Sequence, residues 1–156
     1  MKYVYNTMED YVQRMYRTID IHLPRQLDME TIAARLGMVL EFFPHDSMVI
    51  DQTILIDNRL SPQQQWQDFG HELSHALLHV GNQVCVPLPF KLYQEWKAAN
   101  FALHICIPTF MLIDMDLPVE KRMAVYEIQQ SYHVEQEFAQ KRLDQYLANL
   151  KMFQVF

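Results

Sequence analysis

Glycine and cysteine are both scarce in this sequence. Only 3 of its 156 residues are Gly, too few for a long flexible linker of the Gly-rich kind. The two cysteines, Cys85 and Cys106, lie among apolar neighbours. A chain of this length does not need a disulfide in order to fold, so we expect both to be buried free thiols. These absences favour one compact domain held together by its hydrophobic core.

Positive charge is also in short supply. The chain has 13 Lys and Arg against 19 Asp and Glu, which gives a net charge of −6 at pH 7, and the basic residues are scattered. Nucleic-acid binding normally requires a basic patch that neutralises phosphates. We therefore expect no direct binding of nucleic acid.

Long apolar runs are missing as well. No stretch approaches the roughly 18 uninterrupted apolar residues that a membrane-spanning helix requires. The first ten residues, MKYVYNTMED, are polar and acidic and lack the apolar core of a signal peptide. We therefore expect a cytoplasmic protein that does not associate with a membrane.

The sequence does contain a regular series of helix and strand signals. Short β-branched or aromatic runs predict three strands, which we expect to form a small antiparallel sheet. These runs are residues 38–43, 47–50 and 53–57. Apolar spacing and capping residues predict six helices around them. These helices cover about residues 7–19, 28–36, 62–80, 90–106, 118–130 and 135–150. The predicted class is α+β and mainly helical.

The third predicted helix has the clearest start. Ser61 supplies a capping oxygen, Pro62 suits the first helical turn, and Gln64 completes a capping box. Gly81 is the first residue that favours an end. This helix contains the motif that indicates chemistry.

That motif is His71-Glu72-Leu73-Ser74-His75, an H-E-x-x-H pattern. Helix geometry places His71 and His75 one turn apart, about 6 Å along the axis, so both imidazoles can reach one ion. Glu72 is rotated about 100° from His71 and points beside the ion, where it can take a proton from water. The motif therefore predicts two metal ligands and a general base.

A catalytic zinc needs a third protein ligand. His79 is nearest in sequence, but it lies about 12 Å along a straight helix from His71, too far to share one ion. Glu95 on the following helix is the better candidate, because thermolysin-like sites combine two His of one helix with a Glu of a later one.

The two segments HELSHALLH (71–79) and EWKAANFALHICIP (95–108) resemble the ImmA/IrrE family of metallopeptidases. The second segment has the family's Asn displaced by one position, to Asn100. The similarity covers about residues 28–145, and Glu135 stands where the family usually has Ser. Further matching positions are IAARLGM (32–38), ILID (54–57), Phe69, Tyr132, Val134, Phe138, Arg142 and Leu143.

The resemblance implies a zincin-like fold, with His71, His75 and Glu95 as ligands of Zn²⁺ and Glu72 as general base. Mn²⁺ also suits such ligands. It implies an anti-repressor role in which the enzyme cleaves a helix-turn-helix repressor, often encoded beside it on a phage or integrative element. We expect a single domain over 1–156. Its parts are an N-terminal helix (1–27), a catalytic core (28–115) and a C-terminal helical segment (116–156).

Two points stay open at the level of sequence. A peptidase of this kind needs a donor for the oxyanion, and the candidates are His133, Tyr93, His104 and Arg142. The alternative function is a regulatory binding module that keeps the fold and inactivates a repressor by sequestration, without cleavage.

Overall fold

The computed structural model describes residues 2–78 and 88–154, with side chains described over 2–78 and 92–152. The predicted helix end near Val80, His79 and the thiol of Cys85 lie outside the described residues. The helices are α1 (Thr7–Thr18), α2 (Met29–Arg35), α3 (Pro62–Leu78), α4 (Leu88–Cys106), α5 (Thr109–Ile113), α6 (Lys121–Tyr132) and α7 (Gln136–Gln154). The strands are β1 (Val39–Phe43), β2 (Met48–Ile50) and β3 (Thr53–Asp57). The mainly helical α+β class is confirmed.

The expectation of an antiparallel sheet is wrong, because the sheet is mixed. Its strand order is β1-β3-β2; β1 runs parallel to β3 and β2 runs antiparallel to it. The most buried strand occupies the centre, where Ile54 and Ile56 are fully buried. The edge strands keep apolar residues at the surface, with Val39 and Ile50 about half exposed. β3 pairs along both of its edges and is therefore the central strand, an order that successive hairpins do not give.

The predicted start of α3 is confirmed. The backbone N–H of Gln64 donates to Ser61 Oγ, and the Gln64 side chain accepts from the Ser61 backbone, both at 3.2 Å. This reciprocal capping box satisfies amide groups that a helix start leaves unpaired. It fixes where α3 begins, and hence which residues face its neighbours.

Two short elements were missed. Pro24–Gln26 forms one turn of 3-10 helix, and α5 follows Pro108, its N-cap, for five residues. Segments this short carry no apolar periodicity, so their sequence gives no helix signal.

The helix that contains the H-E-x-x-H motif lies at the centre of the molecule. α3 contacts β3 as well as α4, and its Phe69 and Leu73 are fully buried. This rigid setting fixes the motif relative to the neighbouring helix. Among the described helices, none is both long enough and apolar enough to cross a membrane.

Candidate metal centre

Three side chains converge where α3 passes α4. His71 and His75 lie in the second half of α3 and Glu95 in the first half of α4. The Nε2 atoms of the two histidines are 3.2 Å apart. Glu95 reaches both, with Oε2 3.0 Å from His71 Nε2 and Oε1 2.9 Å from His75 Nε2. We call these three residues the triad.

The spacing of the triad suits a tetrahedral metal ion. Two atoms that each lie about 2.0–2.1 Å from a tetrahedral zinc are about 3.3 Å from each other. The observed separations of 2.9 to 3.2 Å need only a small expansion to reach that value. Two imidazoles and a carboxylate also form a standard catalytic zinc set that leaves one position open. The residues present therefore fit the ion.

The triad is accessible from one side. The His75 side chain is only 7% exposed, whereas those of His71 and Glu95 are 27% and 43% exposed. His75, the triad residue farthest along α3, is thus held by the core, and the other two border solvent. An ion held there is open to a substrate from outside.

Glu72 is half-buried beside the triad. Burial raises the pKa of Glu72 to about 8, and the negative charges of Glu95 and Asp68 contribute in the same direction. A carboxyl group perturbed in this way is typical of catalytic sites. This is the position that the motif predicts for a general base.

Comparison with known proteins agrees with this geometry. The family model described as the IrrE N-terminal-like peptidase domain matches residues 38–144, which include all three triad residues. The chain belongs to this family. The resemblance of residues 71–79 and 95–108 to the ImmA/IrrE family is therefore confirmed as family membership.

Two relatives from Bacillus subtilis (strain 168) support the assignment. One is the phage-like element PBSX protein XkdA, 38% identical over 143 residues, covering 89% of this chain and 72% of the relative. The other is the uncharacterized protein YqaB, 34% identical over 154 residues, covering 96% of this chain and 90% of the relative. Membership in this peptidase family suggests a metallopeptidase, and hence a metal ion. The mixed sheet and helical layers fit its zincin-like fold.

The four candidates for the oxyanion donor separate by burial. Arg142 is fully buried and His104 is 4% exposed, so neither can touch a bound peptide in this structure. Tyr93 is exposed on α4, two residues before Glu95, and His133 is exposed at the end of α6. Tyr93 and His133 stay candidates.

Arg142 instead belongs to a buried polar chain that links three helices. Its Nε donates to the Ile107 carbonyl at 3.0 Å, and its Nη2 donates to Thr109 Oγ1 at 2.6 Å. The Thr109 hydroxyl donates in turn to Glu9 Oε1 at 2.9 Å. These bonds connect α7, α5 and α1, so Arg142 has a structural role in holding the three helices together.

The contact between Gln67 and Glu135 could not be predicted from the sequence. The backbone N–H of Glu135 donates to Gln67 Oε1 at 2.8 Å, and Gln67 Nε2 donates to Glu135 Oε1 at 2.9 Å. Gln67 lies one turn before His71 on α3, so this pair holds the α6–α7 junction against the helix of the motif. The partners are 68 residues apart, and no local pattern signals a contact over that separation.

His104 should make the folded chain less stable in mild acid. Burial and the nearby positive charge of Arg142 lower the pKa of His104 to about 4, whereas an unfolded histidine titrates near about 6.5. Between these values the unfolded chain binds a proton that the folded chain does not, so the free energy of unfolding falls as the pH is lowered. The loss reaches about 3 kcal/mol near pH 4.

Urea unfolding of the wild type and of His104→Gln at pH 7, 5 and 4, with chelator present, measures this term. The chelator removes the contribution of metal binding, and the difference between the two chains cancels the other titrating groups. His45→Gln, at an exposed position, serves as the control and should follow the wild type. Equal losses of stability in wild type and His104→Gln would contradict the prediction.

Proposed function

We propose that this protein is a zinc-dependent endopeptidase that acts as an anti-repressor by cleaving a helix-turn-helix transcriptional repressor. The observation that carries the proposal is the triad, whose three ligand atoms all lie within 4.8 Å of one another. Glu72 follows directly after the first ligand on the same helix. Family membership supports the peptidase chemistry.

His71, His75 and Glu95 would hold the ion in this proposal. When bound, zinc lowers the pKa of a water molecule toward about 7 and polarises a peptide carbonyl. Zinc is favoured because two imidazoles and one carboxylate at near-tetrahedral spacing are its usual catalytic set, and Mn²⁺ is the second choice.

Glu72 acts as general base and then as general acid in this proposal. Its carboxylate accepts a proton from the attacking water and delivers it to the leaving amine nitrogen, which prevents expulsion of an unprotonated amide. Burial raises the pKa of Glu72, and the positive charge of a bound ion would lower it again, which would keep the carboxylate available as a base. The α3 backbone holds Glu72 and both histidines in one rigid unit.

A protein substrate agrees with the charge of the chain. A net charge of −6 does not favour contact with DNA, so the chain would act on a repressor directly and not by competing for its operator. One relative is named as a protein of a phage-like element, and mobile elements commonly control their genes through repressors. The charge thus favours a protein over DNA as the partner, and the relative's name agrees with a role in a mobile element.

The test is incubation of the purified protein with a helix-turn-helix repressor, chosen first from the genes that neighbour its own. We expect one discrete fragment in the presence of zinc or manganese, and none after chelation. Readdition of the metal should restore cleavage. A stable complex with an intact repressor, with or without metal, would instead identify the binding module that acts by sequestration.

A further inference from the structure

α3 and α4 approach each other very closely beside the triad. The contact is lined by small buried residues, so backbone faces backbone with little side chain between. At Gly70, an added Cβ would lie 3.0 Å from Cys106 Sγ and 3.4 Å from both Cα and Cβ of Ala102. These distances are shorter than, or at the limit of, ordinary packing contacts. No residue larger than Gly fits there without movement.

One turn later along α3, a side-chain hydroxyl contacts backbone carbonyls of both helices. Ser74 Oγ lies 2.7 Å from the Gly70 carbonyl and 3.3 Å from the Ala98 carbonyl on α4. Ser74 and Ala98 are both fully buried. The hydroxyl therefore bridges the two helix backbones at a point where neither has a large side chain.

On α3 these contacts stand directly beside the proposed ligands, whereas Ala102 and Cys106 lie about two and three turns after Glu95 on α4. Gly70 precedes His71 in sequence and Ser74 precedes His75. On α4, Ala98 follows Glu95 by about one helical turn. Gly70 and Ser74 are thus the immediate neighbours of the two histidines, whose side chains must reach a common point with that of Glu95.

We propose that Gly70 and Ser74 are positioning residues: they set the approach of α4 to α3, and thereby place the Glu95 carboxylate against His71 and His75. This inference rests on the proposed function, since it concerns the same metal site. In this proposal neither residue touches the ion or a substrate. Their effect passes through the distance between two helices.

Metal sites make this distance important. Ligand distances in a well-formed site hold to within about 0.2 Å, whereas a methyl group at Gly70 forces the facing atoms apart by a few tenths of an ångström. The Cys106 sulfur is fully buried and donates to the Trp66 carbonyl at 3.5 Å, and the other two facing atoms are Cα and Cβ of Ala102 on α4 itself. The displacement therefore falls on α4, which carries Glu95 away from the two histidines on α3.

The experiment compares zinc affinities of wild type, Gly70→Ala, Cys106→Ala and the double variant, by competition with a chromogenic chelator. We expect Gly70→Ala to bind zinc about tenfold more weakly, an effect of the size seen for groups that orient ligands. Removal of the sulfur makes room for the new methyl, so the double variant should recover to within about threefold of wild type. Cys106→Ala alone should bind as wild type does.

Two further measurements separate positioning from damage to the fold. The visible spectrum of the cobalt-loaded protein should change in Gly70→Ala and return in the double variant. Thermal unfolding of the metal-free chains should show that Gly70→Ala is folded, because the helix propensity of Ala, about 1 kcal/mol better than that of Gly, offsets part of an overpacking cost of about 1–3 kcal/mol. Ser74→Val widens the contact one turn closer to Glu95, and it carries the same test should Gly70→Ala not fold.

Wild-type zinc affinity in Gly70→Ala, or a loss that Cys106→Ala does not restore, would overturn the positioning proposal. A wild-type chain that binds no zinc would refute the proposed function itself. The two failures are therefore distinguishable in a single set of titrations.

Discussion

The Glu95→Ala variant should bind zinc at least about 100-fold more weakly than the wild type. Loss of a group that merely orients a metal ligand costs about 10- to 100-fold in affinity, and Glu95 is in contact with both histidines of the triad. Without it, two imidazoles of a single helix are left to hold the ion. Chelator competition measures the change directly.

The same substitution should leave the metal-free fold nearly unchanged. The Glu95 side chain is 43% exposed, and partly exposed ion pairs contribute little to stability. Stabilisation by zinc should shrink, however. At a zinc concentration about 1,000 times the wild-type dissociation constant, binding adds about 4 kcal/mol, and a 100-fold weaker site retains about 1.4 kcal/mol.

Glu127→Ala is the matched control, because Glu127 is an exposed helical glutamate outside the triad. It should leave both the zinc affinity and the zinc-dependent rise in melting temperature as they are in the wild type. Equal zinc affinities in Glu95→Ala and Glu127→Ala would exclude Glu95 as a ligand. They would also direct attention to the residues outside the described ranges, which include His79.

The local parts of the fold were predictable because their signals are local. Ser61 and Gln64 fix the start of α3 through hydrogen bonds three residues apart, and a capping box is readable in any sequence. The order of strands is a different kind of property. Strand order depends on tertiary packing. Ile54 and Ile56 of the central strand β3 are fully buried, and α3 packs against that strand.

The candidate site divides in the same way. Helix periodicity alone brings His71 and His75 together and sets Glu72 beside them. The approach of Glu95 depends instead on the contact of α3 with α4, which small residues such as Gly70 and Ala102 make possible. The sequence shows those residues but does not show that they face one another. The family resemblance over residues 71–79 and 95–108 was therefore needed to predict that Glu95 lies beside the two histidines.

The Glu72→Gln variant should lose about 10²- to 10⁴-fold in the rate of the proposed repressor cleavage, the range that general acid–base catalysis contributes. Gln has nearly the shape of Glu, but its amide cannot accept the proton of the attacking water. The three triad ligands are unchanged, so zinc should bind as in the wild type. Single-turnover cleavage with zinc-loaded proteins measures the rate, and chelator competition measures the affinity.

Asp68→Asn is the control that separates base catalysis from charge. Asp68 also carries a negative charge near Glu72 and raises its pKa, yet it has no place in the proton transfer. Its variant should cleave within a few-fold of the wild-type rate. Full activity in Glu72→Gln would show that Glu72 is not the general base, because the Gln amide cannot accept the proton of the attacking water. A loss of activity that coincides with a loss of zinc would instead mean that Glu72 supports the metal site.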